Sequence, residues 1–473
     1  MKLLFTITAI LCFGLVRAQD DLYLHQKQQL EIYLSQSKYE KALAVGLDLV
    51  TSTTKSSPTS DPRISNAMTL LGKAYTAAGQ YAESEMWLRR ALSHIQTYRG
   101  GDALSAALVY RSLAANAMRS GDYRIAPGFF DLSVETMSEA GEEYRLEYAE
   151  ALSERAGFYY FQENWDGAQQ DYQAAMKLQE AELGIQSPEL ARSLNNLGGV
   201  YMKKGEFTKA RAVYLHALNM QRLSLGQRAP ELATTYINLA VYHDQMAEFE
   251  QAEDYLKQAL DLREEVHGPG HPLTGAVIDN LISLYLSLGK NSEADQLLKG
   301  LRKVRTEQYG GDHPLVADVI DKQASYAMTL EQGAVAEVYL QEALTIRETH
   351  YGERHDLVAA NLYNLGKLQN MNDRPEAARL TLTRALDIYE YQPTGNEEAL
   401  CGILSELVAT DLLQGRDDLV GDHLSLILKI KETTYGYDHP ALVPVLQELL
   451  KYYDLEGSTE EAANVRQRLA SFH

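Results

Sequence analysis

Two cysteines stand among 473 residues, and one of them, Cys12, lies in an apolar N-terminal run. If that run is removed, Cys401 is alone, so no intramolecular disulfide forms and no thiolate set for zinc exists. Cys401 then reads as a small packed residue rather than a reactive thiol. Positive charge is also scarce, with 44 Lys and Arg against 65 Asp and Glu. A net charge of −21 repels phosphate backbones and anionic headgroups, which argues against nucleic acid as a partner. Catalytic signals are missing too. The glycine-containing stretches 268–272 and 310–314 lack the lysine of a phosphate loop, and no His-Glu-x-x-His occurs. No catalytic residue, metal site or cofactor is expected, and the chain is read as non-enzymatic.

Long apolar runs are absent except at the start, where Lys2 precedes an almost unbroken stretch from Leu3 to Val16. That stretch is shorter than the ~20 residues that span a bilayer as a helix. Val16-Arg17-Ala18 offers the small residues of a cleavage site, so residues 1–18 are expected to be a cleaved secretory signal. The expected location is periplasmic or secreted, with no membrane insertion after cleavage.

What the chain has in abundance is repetition. A small residue recurs every 42 positions at Ala42, Ser84, Ala126, Ala168, Ala210, Ala252, Ala294, Ala336, Ala378, Val420 and Ala462. Five positions earlier stand Gly79, Gly121, Gly205, Gly289, Gly415 and Gly457, where a chain that must turn sharply favours glycine. Leu194, Leu197 and Tyr201 before the turn, and Ala210, Tyr214 and Ala217 after it, are spaced with helical period. Each repeat is therefore expected to be a helix, a tight turn and a second helix. Eleven repeats start near 23, 65, 107, 149, 191, 233, 275, 317, 359, 401 and 443 and occupy residues 19–473, leaving nothing for a separate domain.

The run Leu194-x2-Leu197-Gly198-x2-Tyr201, followed by Ala210-x3-Tyr214-x2-Ala217, resembles the tetratricopeptide (TPR) signature. The inter-repeat link, with Gly268, Gly310, Gly352 and Gly436 ahead of His271-Pro272, His313-Pro314 and His439-Pro440, is similar to that of kinesin light chains. The resemblance implies an all-α, right-handed superhelical solenoid with its first helices along a concave groove. The histidine column, His271, His313, His355 and His439, is read as helix-start architecture, because no carboxylate or cysteine recurs with it to complete a metal shell.

A second column bears on function. Asn196, Asn238, Asn280 and Asn364 stand fourteen positions before their small residues, just off the buried stripe of each first helix. By the resemblance this position faces the groove. Asparagine is disfavoured mid-helix by up to ~0.7 kcal/mol against alanine, so its recurrence needs a cause. Either its carboxamide grips the backbone of an extended peptide, or it bonds a neighbouring repeat. Asn195, Lys203, Gln245, Lys322, Tyr363 and Lys367 are further candidates on the same face, with Asp279, Tyr160 and Phe161 nearby. The function expected is a scaffold for a protein or peptide partner in the cell envelope; a sensor or regulatory subunit and a carbohydrate-binding solenoid are the alternatives. Two repeats look irregular. Glu331 holds a turn-glycine position with Gly333 displaced by two, and Asp411 stands where a tyrosine recurs, so these repeats are read as bends or junctions, or as tolerated variation.

Overall fold

The computed structural model describes residues 20–34, 38–98, 102–185, 187–390 and 397–472, and the expected signal segment lies outside them. The described residues contain 22 helices and no strand, as the repeat pattern predicts. They form two compact units that divide between Glu182 and Leu183.

The first unit pairs α1 (20–34) with α2 (Tyr39–Ser56), α3 (Pro62–Ala77) with α4 (Tyr81–Tyr98), α5 (Ala103–Arg119) with α6 (Ala126–Glu139), and α7 (Arg145–Phe161) with α8 (Trp165–Leu183). The second pairs α9 (Glu189–Lys203) with α10 (Phe207–Leu225), α11 (Leu232–Gln245) with α12 (Phe249–His267), α13 (Pro272–Ser287) with α14 (Asn291–Tyr309), and α15 (Pro314–Thr329) with α16 (Gly333–Tyr351). It continues with α17 (Asp356–Met371) and α18 (Pro375–Glu390), α19 (Glu397–Gln414) and α20 (Asp417–Tyr435), and α21 (Val443–Glu456) and α22 (Thr459–Ala470).

The 42-residue column is the seam of each pair. All eleven of its side chains are buried, Val420 at 3 % exposure being the most open. The close approach is tightest at Gly198, where a Cβ would fall 2.3 Å from the Tyr214 ring. Any side chain there would force helix α9 away from α10. The turn between the helices is equally uniform. The six glycines five positions before the seam have φ between 63° and 77°. Glu163, Ala247, Glu331 and Asp373 fill the same position in four further repeats and adopt the same left-handed conformation, with φ from 54° to 60°. The turn therefore belongs to the repeat, and glycine is its cheapest occupant.

That finding accounts for one irregular repeat. Glu331 makes the turn itself, while Gly333 opens α16, where a Cβ would lie 2.7 Å from Asn372 Oδ1 of the following repeat. Asp411 fits by a different route. It is fully buried in the tyrosine position, pairs with the Arg379 guanidinium and accepts from His423 Nδ1 (2.8 Å), so its carboxylate is hydrogen-bonded on two sides. Both irregular repeats keep the helix pairing, and the division between units falls elsewhere, between the fourth and fifth repeats. Cys401 sits in the core of the second unit at 5 % exposure, where burial pushes its thiol up to about 11.

Candidate functional site

Five first-helix starts carry a side-chain cap, from Asp61 at α3 and from four histidines in the second unit, whereas α5, α7, α9 and α11 start without one. In the second unit His271, His313, His355 and His439 take extended backbone angles, and each ring accepts the backbone N–H two residues on at Nδ1. The distances are 3.1 Å for His271 and 3.2 Å for the other three. Proline follows three of the four, supplying a first helical residue that needs no donor partner. Each imidazole also stacks on the ring four residues before it: His267, Tyr309, Tyr351 and Tyr435, with centroids 4.3–4.9 Å apart. The column is thus committed to holding helix starts. Burial, and then a neighbouring histidine, push the His271 and His313 pKa values below the ordinary range.

Successive first helices touch one another: α3 with α5 and α5 with α7 in the first unit, and α9 with α11, α11 with α13 and α17 with α19 in the second. Two hydrogen-bonded ladders stitch them together. In one, Asn195 Nδ2 donates to Thr235 Oγ1 (2.8 Å), which donates to Gln221 Oε1 (2.8 Å), and Asn361 Nδ2 donates to Asp321 Oδ1 (2.8 Å). In the other, Thr76 Oγ1 donates to Asn116 Oδ1 (3.0 Å), and Thr410 Oγ1 donates to Asn370 Oδ1 (2.9 Å). Sequence reading missed these ladders. Their signal is a polar pair separated by 40 residues, two short of the repeat, because each bond joins different turns of adjacent helices.

Asn195 is therefore no open groove residue: it is 6 % exposed and its amide is engaged by the neighbouring repeat. The column beside it behaves differently. Asn196 and Asn364 are exposed, Asn238 is half-buried, and none of the three makes a hydrogen bond to another described residue. Asn280 donates only to Ala276 O of its own helix, at 2.9 Å. Neighbouring repeats thus leave these four carboxamides unclaimed, whereas Glu154, Lys322 and Glu406, at the same position of other repeats, do bond across to Arg111, Asp279 and Asn370.

The remaining candidates divide. Lys203, Gln245 and Lys367 are exposed and free of ion pairs among the described residues. Lys322 pairs with Asp279 across α13 and α15, so these two are already matched. Tyr363 is half-buried, with its ring 3.6 Å from where a Cβ of Gly402 would lie; burial, then Glu406, raises its phenol pKa. In the first unit Phe161 is exposed with its ring 5.1 Å from that of Tyr123, and Tyr160 meets Trp165 edge-on at 5.1 Å. No three potential metal ligands gather among the described residues, and no described helix is long and apolar enough to cross a membrane.

A tetratricopeptide repeat model matches residues 63–138, 147–222, 189–265, 231–299 and 319–390, more than half of the chain. The chain belongs to the tetratricopeptide repeat family. Solved TPR structures are similar at low identity. BtubC (BKLC) from P. vanneervenii is 20% identical over 50% of this chain and 92% of its own, with a TM-score of 0.41. A Podospora anserina kinesin-light-chain-type protein of nearly identical TPR-like repeats is 18% identical over 43% and 96%, with a TM-score of 0.38. A TPR protein from Parabacteroides merdae is 13% identical over 63% and 98%, with a TM-score of 0.40. At these identities the likeness is one of repeat fold. No curated protein matches the sequence. TPR proteins are in general scaffolds that bind protein partners and do no chemistry.

Proposed function

We propose that this TPR chain is an exported scaffold, and that the first-helix face of its second unit holds an extended segment of a protein partner by its backbone. The observation that supports this most is the column Asn196, Asn238, Asn280 and Asn364, which interrepeat bonding bypasses. A carboxamide offers both a donor and an acceptor, so a row of them suits a peptide backbone whatever its side chains. Packed first helices stand ~8–10 Å apart and an extended chain advances ~3.3 Å per residue, so one asparagine meets about every third residue. Lys203, Gln245 and Lys367, exposed nearby, are then free to select side chains.

The test is a triple replacement of Asn196, Asn238 and Asn280 by alanine. Partner captured from the native cell by the parent chain is quantified against capture by the variant. Capture falls severalfold or more, at ~0.5–1.5 kcal/mol per net hydrogen bond lost, while melting stays near the parent's because alanine is the better helix former. Undiminished capture by a stable variant rejects the site. Export to the periplasm or beyond rests on the leader-like residues Lys2 and Leu3–Val16 ahead of Val16-Arg17-Ala18. N-terminal sequencing of native protein should begin at Gln19; an intact Met1 rejects export by cleavage.

A further inference from the structure

The first unit presents a different surface. Helices α3 and α5 carry Arg63, Lys73, Arg111 and Arg119 and no acidic residue, in a chain of net charge −21. Between α3, α5 and α7 lies a cavity of about 430 Å³. Leu108, Met118, Phe130 and Phe158 supply its apolar walls, while Ala115 and Gly157 leave the space open. Both small residues stand eleven positions before their seam residues, Ala126 and Ala168, so successive repeats are hollowed at the same level.

The cations around this cavity are not equivalent. Arg111 is saturated: its guanidinium donates to both Glu154 and Glu150, at 2.6 Å for Nε and 3.2 Å for Nη1. Lys73 and Arg119 also line the cavity, and neither makes a hydrogen bond or ion pair with another described residue. Lys73 is exposed as a residue, but partial desolvation of its ammonium, and then the charge of Arg111, lower its pKa against the opposing pull of Glu154, which also lines the cavity, and Glu150; an incoming anion offsets the repulsion from Arg111. The asparagine column is missing here. Its positions hold Ser112 and Glu154, so the pocket lacks the carboxamides that would grip an extended backbone.

We propose that this pocket binds a small amphiphilic anion, a carboxylate carried on an apolar body, with the body among Leu108, Met118 and Phe158 and the carboxylate between Lys73 and Arg119. Volume, mostly apolar lining and a few convergent polar groups are the marks of a small-ligand site. The site is independent of segment binding in the second unit.

Calorimetry and ligand-observed NMR on the full chain test it, with octanoate as probe and 1-octanol as the uncharged match. Octanoate binds saturably at one site, at least tenfold more tightly than octanol. Lys73→Ala with Arg119→Ala brings octanoate down to the octanol level, and Ala115→Trp, which fills the cavity, removes binding of both. All three positions are exposed, so helicity and melting stay at the parent's values. Equal affinity for octanoate and octanol, or octanoate binding unchanged by Ala115→Trp, overturns the proposal. So does a capped Glu-Leu hexapeptide that binds here tenfold more tightly than octanoate, since the pocket would then be a peptide subsite.

Discussion

Where a side chain caps the start of a first helix, the two units use different chemistry. In the first unit Asp61 caps α3, accepting the Arg63 backbone N–H at 2.9 Å while its carboxylate also pairs with the Arg63 guanidinium at 2.6 Å. In the second unit imidazoles do the work at α13, α15 and α17 and at the entry to α21. A carboxylate accepts at any pH above its own titration, whereas an imidazole accepts at Nδ1 only while that nitrogen carries no proton. One repeat architecture therefore contains two kinds of capped helix start, of which only one responds to mild acid.

The largest expected effect follows from that difference. His271 and His313 have folded pKa values below the ordinary ~6.5, so the native state favours their neutral forms. The stability they contribute is fully present above about pH 6.5 and is lost as pH falls through their folded values. His271 is faced by His267, Arg263 and Arg305, and His313 by His350, Arg305 and Asp318, so charge around the first is wholly positive and around the second mixed. Asp61 is held below the usual carboxylate range, chiefly by its hydrogen bond to the Arg63 side chain, so its cap is untouched by mild acid. Each lost cap costs about 1 kcal/mol. Hydrogen exchange compared at pH 7.5 and 5.5 should show α13 and α15 opening more readily in acid while α3 does not. Replacing His271 and His313 by Asp should abolish the difference, and acid loosening of both units alike would refute the cap assignment.

A contrast of comparable size, confined to one helix pair in each unit, concerns the helix crossings. A Cβ at Gly72 would fall 2.7 Å from the Leu88 side chain, and one at Gly198 would fall 2.3 Å from the Tyr214 ring. Both side chains are buried, Leu88 fully, but the leucine has staggered rotamers to move between while the ring is stiff, so the same substitution should separate the units. Gly198→Ala is expected to cost ~1–3 kcal/mol through overpacking. At Gly72→Ala, rotation of Leu88 and a helix-propensity gain of up to ~1 kcal/mol leave a net change near zero. Urea unfolding followed unit by unit with hydrogen exchange measures both, since repeat arrays need not unfold in two states. Equal costs would mean that the Tyr214 ring yields as easily as Leu88.

Columns that recur were legible in the sequence: the small seam residue in all eleven repeats, and the turn glycine and the histidine helix start in part of them. Each is a local steric or hydrogen-bonding demand, so it leaves its mark at a fixed spacing. The interrepeat ladders were not legible, because Asn195 to Thr235 joins two different columns and its 40-residue separation is not the repeat. Asn195 and Asn196 are adjacent and identical, yet one is buried and the other open; only the rotation of α9 about its axis decides which. The cavity among α3, α5 and α7 was invisible for a further reason. It arises from Ala115 and Gly157 being small on a face where the repeat sets no requirement.

The smallest expected effect concerns the turns that lack glycine. Glu163 in the first unit and Ala247 and Glu331 in the second hold φ between 56° and 60°, where a Cβ crowds the backbone at a cost of roughly 1–2 kcal/mol. Glycine there removes the crowding but adds freedom to the unfolded chain, which takes back ~0.4–1 kcal/mol. Each of Glu163→Gly, Ala247→Gly and Glu331→Gly should therefore stabilise its repeat by under about 1 kcal/mol, and Gly205→Ala, at φ 71°, should destabilise by a similar amount. The exposed positions Glu163, Ala247 and Gly205 isolate the backbone term, because no packing changes with the side chain. Thermal melting of these variants reads the sign directly. If Ala247→Gly lowers the melting temperature, the left-handed turn is held at no cost by the helices on either side, and glycine in the other repeats has some other cause.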